Sequence, residues 1–559
     1  MTSIVLIMPR AGSCLLAACF LAAPSWGQDA GRGETFTLGR IEIHTGDIYP
    51  EGRAESALRR LINATHWTTR EAVVRREIWH RPGEVVDLRF AQELERNLRA
   101  TGLFADVVVE LVPSTDPNAP EGTRDLRVRT RDQLSLGLGA GASFVGDATS
   151  GNASVSESNF LGIGDRIRLS VSENDFGETV GQASYRDRYV AGTWTTADFV
   201  AGRTDQGDFF SVGFSRPFRF LEDRFSWDVR AGKTAYDQDY FFRNSTVAEV
   251  PVDLDNVQAS ASWRAGTRMN FWTRGLTTRY QNAQYSAARG VAAPQLRVPG
   301  DTESVFAGGT LSWANLSEFR EVQYLDTIRF IQDVQVGTTA FLEAGAYFRD
   351  EASGGSAPAG DSAEGQSTQT QISTRLSHLI APGETRFASA SVAGSIRTDG
   401  GDTQAWRTDV ELRAFDLTWH PHTLAFAVSY TQAEEDQGLP VQLTLGERSG
   451  LRGYPNRQLV GDQVLLLHLE DRIDLDASIR SFDFGAVIFG DAAWVGGQTF
   501  GPQSFEGPYT SAGVGLRIGS TPLLGRGVLR VDLSFPFDDV NGESFDPLFS
   551  ATLGQVFTL

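Results

Sequence analysis

From Gln133 to Leu559 the chain alternates apolar and polar residues with a period of two. In LSLGLGAGASF (134–144), Leu134, Leu136, Leu138, Ala140, Ala142 and Phe144 share one face, and serine and glycine occupy the other. DRIRLSVS (165–172) sets Ile167, Leu169 and Val171 against Arg166, Arg168 and Ser170. In GVLRVDLSF (527–535), Leu529, Val531, Leu533 and Phe535 oppose Arg530, Asp532 and Ser534. Successive side chains of a strand point to opposite faces, so each tract predicts a β-strand whose faces meet different surroundings.

Residues 36–131 follow another pattern. FTLGRIEIH (36–44) alternates like a strand, and two helical patterns follow, around Arg70–Ile78 and from Asp87 to Ala100. The second spaces Phe90, Leu94 and Leu98 four apart, on one face of a helix, and Gly102 stands where a C-cap belongs. ADVVVELV (105–112) and RDLRVRT (124–130), with a Pro/Asn/Gly-rich turn between them, complete a β-α-α-β-β module.

Two structures show the alternation of 133–559. In a soluble antiparallel sheet the apolar face meets a core; in a membrane barrel it meets lipid, and the polar face lines a lumen. Segments of about 9–11 residues match a tilted membrane-crossing strand. Polar tracts such as RDEASGGSAPAGDSAEGQS (349–367) suit the loops on the outer side of such a barrel. The fold expected is mainly β: a transmembrane antiparallel barrel over 133–559, preceded by a small domain over 36–131. Ambiguous hairpins in 257–435 leave the strand count between sixteen and twenty, with sixteen as the working number.

Composition agrees with a barrel. No stretch downstream of the N-terminus approaches the ~18 apolar residues of a membrane-spanning helix, while Gly (58) and Phe (35) are abundant. At the N-terminus, Arg10 precedes CLLAACFLAA, and Ser25 and Gly27 occupy the −3 and −1 positions of a cut before Gln28. That is a signal peptide, residues 1–27, in preference to a buried helix or to the lipoprotein box that LAAC (16–19) resembles. Both cysteines, Cys14 and Cys19, fall inside it, so no thiol chemistry is expected downstream. The formal net charge of −20 argues against a nucleic-acid partner. Apart from Lys233, every basic residue is arginine.

Three tracts carry candidate sites. FSATLGQVF (549–557) reads as a closing strand with Phe549, Ala551, Leu553 and Phe557 outward. GERSGLRGYPNRQ (446–458) is a turn-rich loop that isolates Arg452 among glycines, ahead of Gly453 and Tyr454. The strands after it point acids inward: in VLLLHLED (464–471) the lipid-facing Leu465, Leu467 and Leu469 leave His468 and Glu470 on the lumen side. In FDFGAVIFGDAAW (482–494) the apolar face of Phe482, Phe484, Ala486 and Ile488 leaves Asp483 and Asp491 there. No catalytic constellation emerges. There is no nucleophile elbow and no phosphate loop; GLGAG (137–141) lies within a strand, and His420 and His422 lack a third ligand. No enzyme, cofactor or metal is expected.

Several segments, in order, resemble the BamA/TamA superfamily of outer-membrane assembly and translocation barrels. The N-terminal module is similar to a POTRA (polypeptide-transport-associated) domain, with its G-x-x-x…L…L…G-x-F-x-x-V rhythm at Gly83, Leu94, Leu98, Gly102, Phe104 and Val107. ESNFLGIGDRIRLS (157–170) resembles the turn between the family's second and third strands. SYRDRYVAG (184–192) resembles the strand end that follows, with Arg188 where proline is usual. LRGY (451–454) matches the motif of the sixth extracellular loop, and FGDAAWVGG (489–497) the aspartate strand that receives it. The resemblance implies that the loop folds into the lumen and that Arg452 pairs with Asp491 and Glu470 on the wall. It also makes Phe549, Leu553 and Phe557 a terminal-strand signal for assembly, with Thr558 and Leu559 trailing as a departure.

The function the resemblance implies is insertion or translocation of polypeptides at the outer membrane, with the POTRA domain in the periplasm. Expected partners are outer-membrane lipid, unfolded polypeptide clients and accessory periplasmic or outer-membrane proteins. Two alternatives stand beside it: a secretion pore dedicated to one partner, and a surface porin or antigen with no client. A pore of that type normally has two POTRA domains and a proline-rich lead segment.

Overall fold

A computed structural model describes residues 34–49, 60, 63–64 and 66–559, apart from 146–147, 174–177, 221–222, 243, 297, 352–364, 435–438, 498–505, 520–526, 541–543, 545, 554 and 556. The expected signal peptide, residues 1–27, lies outside the described residues.

The N-terminal domain runs through β1 (Thr35–Gly46), α1 (Glu71–Glu77), β2 (Val85–Asp87), α2 (Leu88–Ala100), β3 (Phe104–Pro113) and β4 (Thr123–Asp132). Its sheet has the order β2-β1-β4-β3, with β1 parallel to β4 and the other pairs antiparallel. The three-residue β2 is an edge strand that the apolar pattern is too short to show. Helix α2 forms where the spacing of Phe90, Leu94 and Leu98 gives it an apolar face. Asp87 caps it by accepting from Phe90 N at 3.0 Å, and Gly102 ends it at φ +70°. Leu94 and Leu98 are fully buried against Val73, Val74, Leu126 and Val128. Each such leucine contributes about 1.5–3 kcal/mol of apolar burial.

Among the described residues, twenty antiparallel strands follow and close on themselves between the first, Leu136–Val145, and the last, Leu548–Leu553. The working number of sixteen was too low. The region 257–435 obscures the count because its strands run 13 to 22 residues, beyond the 9–11 expected of a crossing. Strands Arg386–Asp399 and Asp402–Asp416 are joined by Gly400 and Gly401 alone, at φ +57° and +105°, which fits a two-residue hairpin turn.

The barrel is uneven in height. Strands near the seam run six to thirteen residues, whereas Ser245–Gly266 and Thr302–Val322 run 22 and 21. The outer face carries exposed apolar side chains such as Leu138, Leu276, Leu469 and Phe549. Aromatic pairs, Phe225 with Trp263 at 5.5 Å and Trp272 with Trp313 at 6.0 Å, stand near the end that meets the N-terminal domain. That distribution is the apolar band with an aromatic girdle of a membrane barrel.

The N-terminal domain packs directly on the barrel's turns. Trp79 stacks on Phe220 at 4.7 Å, Glu77 pairs with Arg219 at 3.1 Å, and Arg99 reaches Glu321 at 2.7 Å. Arg188 donates to the carbonyl of Thr101, at the C-terminal end of α2, at 2.9 Å.

The closing strand is shorter than expected. It pairs with its neighbour from Leu548 to Leu553, and Phe549 is half-exposed on the outer face. Phe557 does not face outward: it lies beyond the strand, buried inside the barrel. Its ring stacks on His468 at 5.4 Å and lies 4.8 Å from the Arg472 guanidinium, which also donates to the Phe557 carbonyl at 2.8 Å. Cationic and aromatic partners inside the barrel hold the ring where lipid was expected to.

Candidate functional site

Strands Gln463–Ile479 and Phe482–Gly496 are neighbours, with His468 directly opposite Asp491. The period of two therefore aims His468, Glu470 and Arg472 from one strand, and Val487, Phe489 and Asp491 from the other, at the same interior volume. All six are buried. The loop joining His422–Glu434 to Gln463–Ile479 folds into that volume. Leu443–Leu445 and Leu459–Gly461 pair to form its neck.

At its apex Gly450 and Gly453 take φ +106° and +88°, which favour glycine. Space at Gly453 is also tight. A Cβ there would lie 3.2 Å from Pro536 N and 3.3 Å from Ser511 Cβ.

Arg452 between them is completely buried. Its Nε donates to Asp491 Oδ2 and its Nη2 to Asp491 Oδ1, both at 2.7 Å, in the two-pronged geometry that a guanidinium makes with a carboxylate. Nη1 donates to Glu470 Oε1 at 2.7 Å, and the guanidinium lies 3.5 Å from the centre of the Phe489 ring. Burial alone would pull the guanidinium's pKa down; the Asp491 and Glu470 carboxylates outweigh it and hold the pKa above the ordinary arginine value. The structure thus brings Arg452, Asp491 and Glu470 into one contact. Tyr454 is buried in an apolar cluster with Leu451, Leu466 and Val495, and its hydroxyl donates to the carbonyl of Thr510 at 2.8 Å.

The site extends past the residues found from the sequence. His468 Nδ1 lies 2.8 Å from Asp491 Oδ1, and Arg472 Nε donates to Glu470 Oε2 at 2.8 Å. Arg472 Nη1 continues to the carbonyl of Leu325, in a turn that folds inward from the opposite wall. The same turn brings Ile328 beside Gly485 and Gly519. Glu447 is the main omission. Buried three residues before Gly450, it accepts from Gly453 N at 2.9 Å and from the Ser550 hydroxyl at 2.6 Å, joining the loop to the last strand. An acid four residues before LRG was the available signal, but a turn acid is read by default as solvated. Leu553 closes the last strand opposite Leu529, and neither Phe549 nor Phe557 belongs to the Arg452 contact.

Chemically the arrangement is a seat. Every charged group at its centre is engaged, and the loop touches each of the five final strands through Glu470, Asp491, Thr510, the Ser534–Pro536 backbone region or Ser550. Among the described residues no cluster of three or more His, Cys, Asp or Glu is placed to hold a metal; His422 instead sits 2.9 Å from Asp471.

No family model matches the chain. Over 109 residues, 19% of its length, it is 28% identical to the outer membrane protein assembly factor BamA of Buchnera aphidicola subsp. Acyrthosiphon pisum (strain APS), and that match spans 17% of the relative's length. Among solved structures it is similar to BamA from Haemophilus ducreyi lacking POTRA domains 1-3, at 14% identity and a TM-score of 0.41, over 94% of this chain and 85% of that one. CdiB from Escherichia coli is similar at 14% identity and a TM-score of 0.42, over 92% and 76% of the two chains. The local likeness to BamA, with the order of motifs along the chain, supports a BamA/TamA-type outer-membrane barrel.

Proposed function

We propose that this barrel of the BamA/TamA type sits in the outer membrane and assists the insertion or translocation of polypeptides, with its single N-terminal domain on the periplasmic side. One observation carries the reading: the barrel is braced unevenly. The inward loop ties the five final strands together from inside, through Arg452, Gly453, Tyr454 and Glu447. Those strands end in a six-residue strand that must close against Leu136–Val145. On that first strand Gly137 and Gly139 present no side chain toward Ser156 and Ser154, and glycine weakens a strand interior. A wall so divided has a defined place to part.

The client's path runs from the N-terminal domain to the seam. An extended polypeptide adds to a sheet edge of the N-terminal domain by main-chain hydrogen bonds. It then passes to the barrel mouth, on which that domain is docked, and leaves through the seam into lipid or through the lumen. Accessory proteins would bind the exposed surface of the N-terminal domain.

The test is a covalent lock. A cysteine in 136–145 paired with one in 548–553 should form a disulfide under oxidation and stop client insertion, and reduction should restore it. Full activity in the locked form would rule out seam opening. A lock that has no effect, together with no client captured by the N-terminal domain, would leave a porin.

A further inference from the structure

The inner wall on the other side of the seam carries a row of arginines, most of them without a partner among the described residues. Strand registers set them in one row. Arg166 pairs across to Arg186, Arg186 to Asp198, and Asp198 to Gly213. Gly213 then faces Arg230, whose Cγ would lie 3.1 Å from a Cβ on that glycine. The row climbs. Arg166 is the second residue of its strand, next to the turn on which the N-terminal domain rests, and Arg230 is the sixth residue of Phe225–Phe242. Beyond Gln258 it meets Arg279, which Glu343 takes at 2.8 and 2.9 Å, so the free part of the row ends there.

Arg166, Arg168 and Arg230 are exposed, and among the described residues none of them has a hydrogen bond or ion pair. Arg186 is shared with Asp198 but half-exposed. The charged neighbours of Arg166 are Arg168, Arg186 and Arg188. Two like charges directly opposite one another weaken a strand pair. In a chain with a net charge of −20, this wall concentrates positive charge against the overall balance. Alternation puts these side chains on the lumen side, because Leu169 and Val171 of the same strand hold the outer face.

We infer that this arginine row is a guide for acidic side chains of an extended polypeptide in transit from the N-terminal domain through the lumen. The inference rests on the client-handling function proposed above and names the chemistry of the client. Geometry favours an extended chain as the occupant. Neighbouring strands lie about 4.8 Å apart, so Arg186 and Arg230, three strands apart, are separated by about 14 Å, while same-face residues of an extended chain recur every ~7 Å. Acids four residues apart, about 14 Å, therefore match the spacing of Arg186 and Arg230. Its lower end lies where Arg188 holds the C-terminal end of α2, so a segment captured on the N-terminal domain reaches these charges first.

The test uses the full chain in lipid vesicles with a photo-crosslinking residue at Ser184, which faces Arg168 in register. Two unfolded polypeptides are offered, identical except that every Asp and Glu of one is Asn or Gln in the other. The acidic form should be labelled on the order of tenfold more, the scale on which a one-signed wall concentrates its ligand. The combined variant Arg166→Gln, Arg168→Gln, Arg230→Gln should erase the difference without lowering labelling by the neutral form. If that variant fails to fold, as judged by its heat-dependent migration, the wild-type preference should still collapse near 1 M salt, where the screening length is about 3 Å. Equal labelling of both forms, or a preference that survives the variant or the salt, overturns the row as a guide and leaves the client-handling function standing. Labelling of neither form removes both. Labelling of vesicle lipid instead of either polypeptide overturns it in favour of a headgroup site.

Discussion

Arginine meets two fates on opposite sides of one seam. On the wall built from Gln463 to Pro536, Arg472, Arg517 and Arg530 are buried, as is Arg452 of the loop seated against it, and each is matched by a carboxylate. On the wall from Asp165 to Arg216 and onto the next strand, Arg166, Arg168, Arg186 and Arg230 are exposed, and among the described residues only Arg186 forms an ion pair. The contrast follows from desolvation. A guanidinium taken out of water is tolerated only when its charge is met, so the buried set must be paired and fixes the loop in one position. The exposed set stays hydrated, and its charge is available to something else. One wall is held together by its arginines; the other is left able to bind through them.

The largest break in that contrast should come from Arg452→Ala. Stranding Asp491 and Glu470 costs roughly 3–5 kcal/mol, the scale of one removed partner of a buried pair. The barrel should form, the loop should leave its seat and become open to protease, and client insertion should fall strongly. Arg452→Lys should fail nearly as far, since an ammonium cannot reproduce the two-pronged contact. Asp491→Asn should match Arg452→Ala, and the double variant should lose little more. Wild-type protease resistance of 446–458 in Arg452→Ala would return that arginine to the solvated kind.

Glu447→Gln should cost less, about 1–3 kcal/mol, because an amide oxygen still accepts one of the two hydrogen bonds from Gly453 and Ser550. Burial raises the Glu447 carboxyl above its ordinary 4.5. The seated loop therefore favours the protonated acid, and this contribution to seating is weakest above the raised pKa and grows as pH falls from there toward 4.5. Hydrogen-exchange protection in 446–458, taken relative to the intrinsic rate at each pH, should rise on acidification across that window, and the rise should vanish in Glu447→Gln. Protection that falls on acidification would contradict the assignment.

The smallest effect belongs to the other wall. Arg166→Gln should change the temperature of barrel unfolding by no more than about 0.5 kcal/mol corresponds to, and should raise it if anything, because it relieves an opposed like-charge pair. A large loss of stability would show that Arg166 is structural and would blur the distinction between the two walls.

Much of this was legible in the residues. Period two alone places Glu470, His468 and Asp491 on the lumen side, because their strands carry uninterrupted apolar faces that leave no other choice. Arg452 with its flanking glycines marks a loop apex needing left-handed backbone. What was not legible depends on distant contact. The strand count was lost where strands such as Ser245–Gly266 and Thr302–Val322 run about twice the 9–11 residues expected of a crossing. Phe557 has the spacing of an outward residue, and nothing local reveals that the Arg472 guanidinium awaits it inside. The arginine row is invisible along the chain, since Arg166, Arg186 and Arg230 become neighbours only once the register is set.

The placement of Phe557 has a temporal consequence. A ring sandwiched between His468 and Arg472 is concealed by the finished molecule. Any factor that reads this aromatic must do so on the newly made chain, and completion of the barrel withdraws the feature being read. Used as a label, it would cancel itself on delivery, and a correctly built copy would not compete with unfolded ones for whatever reads it.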